Sequence, residues 1–446
     1  MSDRPTGYLA KFVWTAGTFM VSAGLKFGLN VTLSYLLAPG ILGVMVVVNA
    51  IRLGVELLTD VGIEQNIIHH PDGLERHFRD TAWTLQIVRG LLLSTLFALA
   101  APLLANAYHI DVRIFLLAAL SPLIGGAHST AIFVLVKHLE VRRRNAFELG
   151  AEALAFIVQV ALAFWLRSVW APAIGLVVAV ALRSALSYLL PDAAQRPRFD
   201  RAIARRILSF GKWIALTSLV MYAATNLDRL YLGGIVPLGL LGIYGIARAI
   251  AELPTTLARR MSYQIIFPAL AGTGGDRAGR MAQIAASRLV FILGSCVSLA
   301  LAAALADELV ALVYDRRYVA AGWMLAVLLI GAVFAVLSNL NEALLLSAGR
   351  PHYSSFANLM RLGTLAIAMP SGFALAGFPG AVVAVAATEV LQYLYIAAGL
   401  RRVKMGFWRQ DFVTLGSSIA VFLAVIGLRH WLGLGNPLAG MRVAGS

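Results

Sequence analysis

Charge is scarce in this chain. Charged residues make up 13% of its 446 positions, against about 25% in a soluble globular protein. The shortage runs from end to end, which excludes an ordinary water-soluble domain. Cysteine is nearly absent. Cys296 stands alone, so an internal disulfide and a multi-thiolate metal site are excluded. No G-x-x-x-x-G-K-[ST] run occurs. The glycine-rich AGTGGDRAGR at 271–280 lacks the Lys-Ser/Thr ending and reads as a flexible inside loop. ATP hydrolysis has no visible machinery. His69, His70 and His77 lack the number and spacing of a metal site and read as solvated loop residues. His128, beside Ser129, reads as a satisfied hydrogen bonder. No catalytic residue, metal ligand set or cofactor site is expected. No large outer loop carries paired acids, which argues against a membrane glycosyltransferase or polymerase.

Long apolar runs are what the chain does have. A spanning helix needs about 20 mostly apolar residues. Such segments fall at 12–36, 41–65, 82–106, 113–136, 147–167, 170–190, 211–235, 238–265, 287–306, 322–346, 354–376, 379–399 and 412–431. The alternating segments of about 10 residues that mark a β-barrel are missing. The chain therefore reads as an all-α polytopic membrane protein. The run after MSDRPTGYLAKFVW lacks a small-residue cleavage site and reads as an uncleaved first helix. The net charge of +15 needs no nucleic-acid partner. With the N-terminus cytoplasmic, 24 of the 37 Lys and Arg fall in inside segments and 6 in outside ones, as the positive-inside rule requires.

The longest inside connection, PDAAQRPRFDRAIARRILSFGK, lies midway along the chain. It divides an N-terminal six-helix bundle at 1–190 from a C-terminal one at 211–400. The linker covers 191–210, and 401–446 adds a thirteenth hydrophobic helix and a tail. Arg201, Arg205 and Arg206 are expected on an interfacial helix against anionic lipid. DELVALVYDRRYVAAGW (307–323) is expected as an outer interfacial helix. The halves look alike: APGILGVMVVVNAI (38–51) matches VPLGLLGIYGIARAI (236–250). Pairing Gly43 with Gly242 gives an offset of 199, which also maps Arg89 onto Arg288. This predicts two pseudo-symmetric bundles around a central cavity, related about the membrane normal.

Seven basic residues remain after the inside and outside tallies. Arg89, Arg183 and Arg361 sit about two turns from an inside end and are expected to snorkel to lipid headgroups. Lys26, Arg52, Arg229 and Arg248 lie deeper, on the first two spans of each half. Each belongs to a polar stripe at steps of three or four: Thr15, Thr18, Ser22, Lys26 and Asn30; Asn49, Arg52, Glu56 and Asp60; Ser218, Tyr222, Thr225 and Arg229; Tyr244, Arg248, Glu252, Thr255 and Arg259. Lipid cannot satisfy such a face, so it must meet protein or water. Arg52–Glu56 and Arg248–Glu252 can pair at i,i+4. Lys26 has no acid within a turn. Asp228, next to Arg229, can balance it or reach a neighbouring helix. Guanidinium and ammonium groups suit an anionic, phosphate-bearing substrate. The acids Glu56, Asp228, Glu252 and Glu389 are candidates for ion coupling.

LSYLLAPGILGVMVVVNAIRLGVELLTDVGIEQNII (33–68) resembles the opening helices of Wzx-type oligosaccharide flippases. These belong to the multidrug/oligosaccharidyl-lipid/polysaccharide exporter superfamily. NLDRLYLGGIVPLGLLGIYGIARAIAELP (226–254) resembles the start of their second half, and LLLSAGRPHY (344–353) a later short loop. The resemblance implies two six-helix bundles around a V-shaped cavity lined by the first two helices of each bundle. It implies a substrate glycan on undecaprenyl pyrophosphate, flipped across the bacterial cytoplasmic membrane for surface polysaccharide such as lipopolysaccharide or exopolysaccharide. The diphosphate is then expected at Lys26, Arg52, Arg229 and Arg248, and the glycan at Asn30, Asn49, Ser218, Tyr222 and Tyr244. Membrane lipids, glycosyltransferases and a polymerase are the implied partners. A peptidoglycan-precursor lipid flippase and a drug/cation antiporter of the same superfamily remain alternatives.

Overall fold

Glycine, proline and capping side chains set where the helices begin and bend. The computed structural model describes residues 5–58, 62–262, 277–403 and 405–443. Asp60, residues 271–276 and the side chain of Thr15 lie outside the described residues. Among the described residues every regular element is a helix: α1 (Pro5–Leu36), α2 (Pro39–Leu58), α3 (Ile63–His69), α4 (Arg76–Tyr108), α5 (Val112–Ala118), α6 (Leu120–Gly126), α7 (Ala131–Lys137), α8 (Val141–Leu166), α9 (Trp170–Ser187), α10 (Arg201–Ile235), α11 (Leu238–Met261), α12 (Arg277–Ala304), α13 (Ala306–Val313), α14 (Ala321–Ser347), α15 (His352–Arg402), α16 (Trp408–Trp431) and α17 (Gly440–Val443), with two single 3₁₀ turns.

Seven of these helices are long and apolar enough to cross a membrane, and nine spans result if each of two bent pairs counts as one. The protein is a multi-pass membrane protein. Helices α1, α10 and α11 fall outside that set. They carry Lys26 and Asn30, Asn226 to Arg229, and Arg248 with Glu252, so their polar faces lower their hydropathy. Helix α15 holds two predicted spans. Its backbone leaves the helical region at Ala376 and Gly377. Gly377 has φ +61°, a conformation glycine adopts without Cβ strain, and Pro379 follows in the next turn.

The chain divides into two units. The first comprises Met1–Tyr222 with Leu232–Gly242; the second comprises Ala223–Tyr231 with Ile243–Ser446. In the first unit α8 packs on α9 and α1, and α4 packs on α6. In the second, α14 is the central helix, 83% of its apolar window being buried. It packs against α15 and α12, and α12 also packs on α16.

Several elements differ from expectation. The predicted span 113–136 is three short helices, with a bend of 55° between α5–α6 and α7. The segment 41–65 stops at Leu58, and α3 starts after Gly62, whose φ is 59°. The outer stretch 307–323 is not one interfacial helix. It is α13, a 3₁₀ turn at Arg316–Tyr318 and the start of α14. Nor do Arg201, Arg205 and Arg206 form a separate interfacial helix, because α10 runs unbroken from Arg201 to Ile235. Asp200 caps it by accepting from the amides of Ala202 (2.8 Å) and Ile203 (3.1 Å), the ordinary N-cap arrangement. The connection before it is tied along the start of α4. His77 Nε2 lies 2.9 Å from Asp200, Asp80 accepts from Arg196 N at 3.1 Å, and Thr84 accepts from Arg198 N at 2.9 Å. The His77 hydrogen bond and the two capping amides hold the Asp200 carboxyl below its usual range. His70 and His77 are thus bound rather than merely solvated; His70 Nε2 meets Arg206 at 2.9 Å.

Helix α16 is integral to the second unit, held at both ends by ion pairs. Asp411 in its first turn meets Arg288 of α12 at 2.6 Å, and Arg429 in its last turn meets Asp307 at 2.9 and 2.6 Å. The Lys/Arg tally counts Arg288 with the inside segment 259–288, at the edge of the predicted span 287–306. Arg288 is 2% exposed and also donates to Asn341 and Gln410. Burial of a charge away from water demands a counter-charge and hydrogen-bond partners of this kind.

Candidate functional site

The charges inside DRLYLGG find their partners on α11. Tyr244, Arg248 and Glu252 recur every four residues, so they share one face of that helix. The Tyr244 hydroxyl donates to Asp228 Oδ2 at 2.5 Å. Arg248 Nε lies 3.1 Å from the same Asp228 oxygen and 3.2 Å from Glu252 Oε1. Arg229 Nη2 donates to both Glu252 oxygens at 2.8 Å, and its Nη1 donates to Asn226 at 2.8 Å. Two cations and two acids form one neutral network. It has a closed end and an open end: the Asp228 side chain is 1% exposed and that of Arg248 9%, while Arg229 and Glu252 are 21% and 36% exposed.

The backbone break at Gly377 helps to set this geometry. It is followed by Phe378, which packs edge-on against Tyr244 at 6.2 Å and Trp323 at 5.9 Å. Tyr244 is fully buried, and its hydroxyl is committed to Asp228. Its place is thus in supporting the acid, not in touching a glycan as the sequence led one to expect. Tyr222 differs from expectation in the same way. It is buried, and its hydroxyl donates to the Ala50 carbonyl.

A second polar cluster lies within the first unit. Arg52 Nη1 meets Glu56 at 2.5 Å, and Arg89 donates to the Glu56 carbonyl. Both arginines line a cavity of 560 Å³, together with Glu64, Arg144, Glu148 and Arg183. Arg183 is bridged to Glu148 at 2.7 Å. Arg89 is thus engaged in a polar pocket rather than reaching for lipid headgroups, whereas Arg183 lines the same pocket with 53% of its side chain exposed. Arg361 departs from that expectation too: it is 8% exposed and pairs with the buried Glu389. Lys26 has its acid after all. Glu152 of α8 lies 2.9 Å away, and the lysine side chain is 65% exposed. A partner so distant in sequence could not be read from spacing along α1.

The remaining candidates lie apart from these networks. Asn49 is exposed and Ser218 half-buried, and the Asn30 amide donates to the Lys26 carbonyl at 3.3 Å. Among the described residues no group of three His, Cys, Asp or Glu could hold a metal.

Known proteins share this architecture. The fold is similar to that of a lipid II flippase, MurJ, in an inward closed conformation. The TM-score is 0.73 at 13% identity, covering 97% of this chain and 95% of that one. An inward-facing multidrug resistance MATE family transporter of the MOP superfamily gives 0.61 at 14% identity, covering 88% and 99%. In sequence, the chain is 24% identical over 300 residues to the teichuronic acid biosynthesis protein TuaB of Bacillus subtilis, covering 66% of this chain and 62% of that protein. It is 25% identical over 268 residues to the lipopolysaccharide biosynthesis protein WzxC of Escherichia coli, covering 59% and 54%. The match thus spans under two thirds of the length of both relatives. Residues 32–322 match the family described as "Polysaccharide biosynthesis protein", and the chain belongs to that family.

Proposed function

We propose that this protein is a flippase, not an enzyme. It carries an oligosaccharide linked to undecaprenyl pyrophosphate across the bacterial cytoplasmic membrane for surface polysaccharide synthesis, by alternating access. The N-terminus lies in the cytoplasm, the side on which the Lys/Arg tally places the basic connections. Glycosyltransferases that build the glycan and a polymerase that extends it are its partners.

The observation that carries this reading is the network of Asp228, Arg229, Arg248 and Glu252 on membrane helices of a polysaccharide biosynthesis family member. An unpaired charge in a bilayer is costly. A carrier of an anionic headgroup therefore needs an internal anion to occupy its cations when empty. Glu252 fits that part. It grips Arg229 through both oxygens and sits at the open end of the network. A diphosphate offers the same paired acceptor geometry with more charge, so it can displace the carboxylate from Arg229. Asp228 and Tyr244 meanwhile keep Arg248 in place. Glu252 and Glu56, 36% and 31% exposed, are the more open of the ion-coupling candidates; Asp228 and Glu389 are buried. In the first unit Arg52 and the exposed Lys26 supply further positive charge. Asn30, Asn49 and Ser218 offer polar contacts to sugar.

The test is complementation in cells lacking the protein. Arg52→Ala or Arg248→Ala should remove surface glycan while the variant remains in the membrane. Normal glycan export by the double variant would refute the assigned role.

A further inference from the structure

Arg52, which the proposed diphosphate contact uses, also lines the 560 Å³ cavity of the first unit, where further arginines stand beside three glutamates that the diphosphate does not explain. The cavity volume falls within the range of small-molecule sites, about 300–1,000 Å³. Four arginines and three glutamates line it: Arg52, Arg89, Arg144 and Arg183 against Glu56, Glu64 and Glu148. One positive charge is in excess. Arg52 and Glu56 come from the last two turns of α2, Arg144 and Glu148 from the first turns of α8, and Arg183 from the end of α9. These residues place the cavity at the end of the unit that carries the basic connections 66–81 and 137–146.

Three ion pairs brace its wall: Arg52–Glu56 at 2.5 Å, Arg183–Glu148 at 2.7 Å and Arg144–Glu64 at 4.0 Å. Each guanidinium has five N–H donors, and these pairs use only some of them. Arg144 and Arg183, which line the cavity, keep 42% and 53% of their side chains exposed. The wall thus presents guanidinium donors beside carboxylate acceptors. A dianionic phosphate would meet three glutamates. A neutral sugar would leave the excess charge unused. A ligand with a single carboxylate and several hydroxyls satisfies both demands: its carboxylate takes a guanidinium fork and its hydroxyls donate to the glutamates.

We propose that this cavity is a recognition site for a uronic acid residue of the transported glycan, read on the cytoplasmic side before translocation. The assignment of the glycan as cargo rests on the flippase reading; binding of a uronate does not.

The test uses the full chain in lipid nanodiscs, titrated calorimetrically with sodium glucuronate, glucose and inorganic phosphate. Glucuronate should bind about tenfold or more tighter than the other two. Arg52→Gln and Arg183→Gln should each weaken it by about tenfold, the effect of losing a charged hydrogen bond. The Arg183 side chain is 53% exposed, so its replacement keeps the fold even where Arg52→Gln does not. Equal binding of glucose, preference for phosphate, or glucuronate affinity unchanged in Arg183→Gln would overturn the proposal. Movement of a neutral lipid-linked glycan in proteoliposomes separates the two readings. Arginine-dependent glucuronate binding without any glycan movement supports the pocket and defeats the flippase. Glycan movement without glucuronate preference does the reverse.

Discussion

Gly43 and Gly242 meet backbone to backbone. A Cβ on Gly43 would lie 1.8 Å from the Leu238 carbonyl oxygen, and one on Gly242 would lie 2.0 Å from that of Pro39. The contact is reciprocal, and both pairs of positions, 39 with 238 and 43 with 242, are 199 residues apart. A local two-fold relation between the segments at Pro39 and Leu238 produces such reciprocity. The offset found in the sequence is therefore also a contact.

Gly43→Leu should be severely destabilising. Overpacking ordinarily costs about 1–3 kcal/mol, and here the obstacle is backbone, which cannot rotate away. Gly40→Leu is the control, because nothing lies within 4 Å of its added Cβ. Thermal unfolding of the purified protein should show a large fall in Tm for Gly43→Leu and little for Gly40→Leu. Equal Tm values would contradict the crossing.

Asp411→Ala should cost about 3–5 kcal/mol, the usual effect of stranding a buried charge. Arg288 would keep Asn341 and Gln410 but lose its only counter-charge among the described residues. Replacing both ions by apolar residues, Arg288→Met with Asp411→Leu, should recover part of that loss. The same unfolding measurement checks it. A double variant worse than the sum of the singles would show that the pair is not the unit of stability.

Tyr244→Phe removes one hydrogen bond from Asp228 and leaves the carboxylate to Arg248. A loss of about 1–3 kcal/mol in stability is expected, with glycan export reduced but present. Asp228→Ala should be worse, because Arg248 then keeps only Glu252. Surface glycan per unit of membrane protein ranks the two; the opposite order would sink the supporting role given to Tyr244.

Asp200 gives a pH dependence outside the membrane. Its folded pKa is depressed, so it contributes stability above the unfolded Asp pKa of about 3.9, and that contribution is lost as pH falls through the lower folded value. Hydrogen exchange at the capped amides of Ala202 and Ile203 should accelerate over that acid range. In Asp200→Asn this acid-range change should vanish. An unchanged pH profile in Asp200→Asn would place the effect elsewhere.

Hydropathy and short-range spacing were legible in the sequence. The break between 376 and 379 was readable because an apolar run is interrupted by Gly377 and Pro379. The pairs Arg52–Glu56 and Arg248–Glu252 were readable because four residues bring side chains onto one helix face. What could not be read was any partner far away in the chain. Lys26 meets Glu152, Arg288 meets Asp411, and Arg361 meets Glu389; no periodicity links such positions. Counting Arg288 with a loop and Arg89 with lipid-facing residues had the same origin. Depth along a helix is visible in the sequence, but the neighbour across from it is not. One signal existed: the 199-residue offset mapped Arg89 onto Arg288, and both proved to be engaged inside their own units.

The most direct test of the account is translocation itself. The purified chain, reconstituted in liposomes, is supplied with a fluorescent undecaprenyl-pyrophosphate-linked oligosaccharide, and glycan reaching the opposite leaflet is followed by its accessibility to an impermeant quencher. The wild-type chain should move it, and Arg248→Ala should slow that movement about tenfold or more, as loss of a charged contact implies. Equal rates in wild-type, Arg248→Ala and protein-free liposomes would contradict the account.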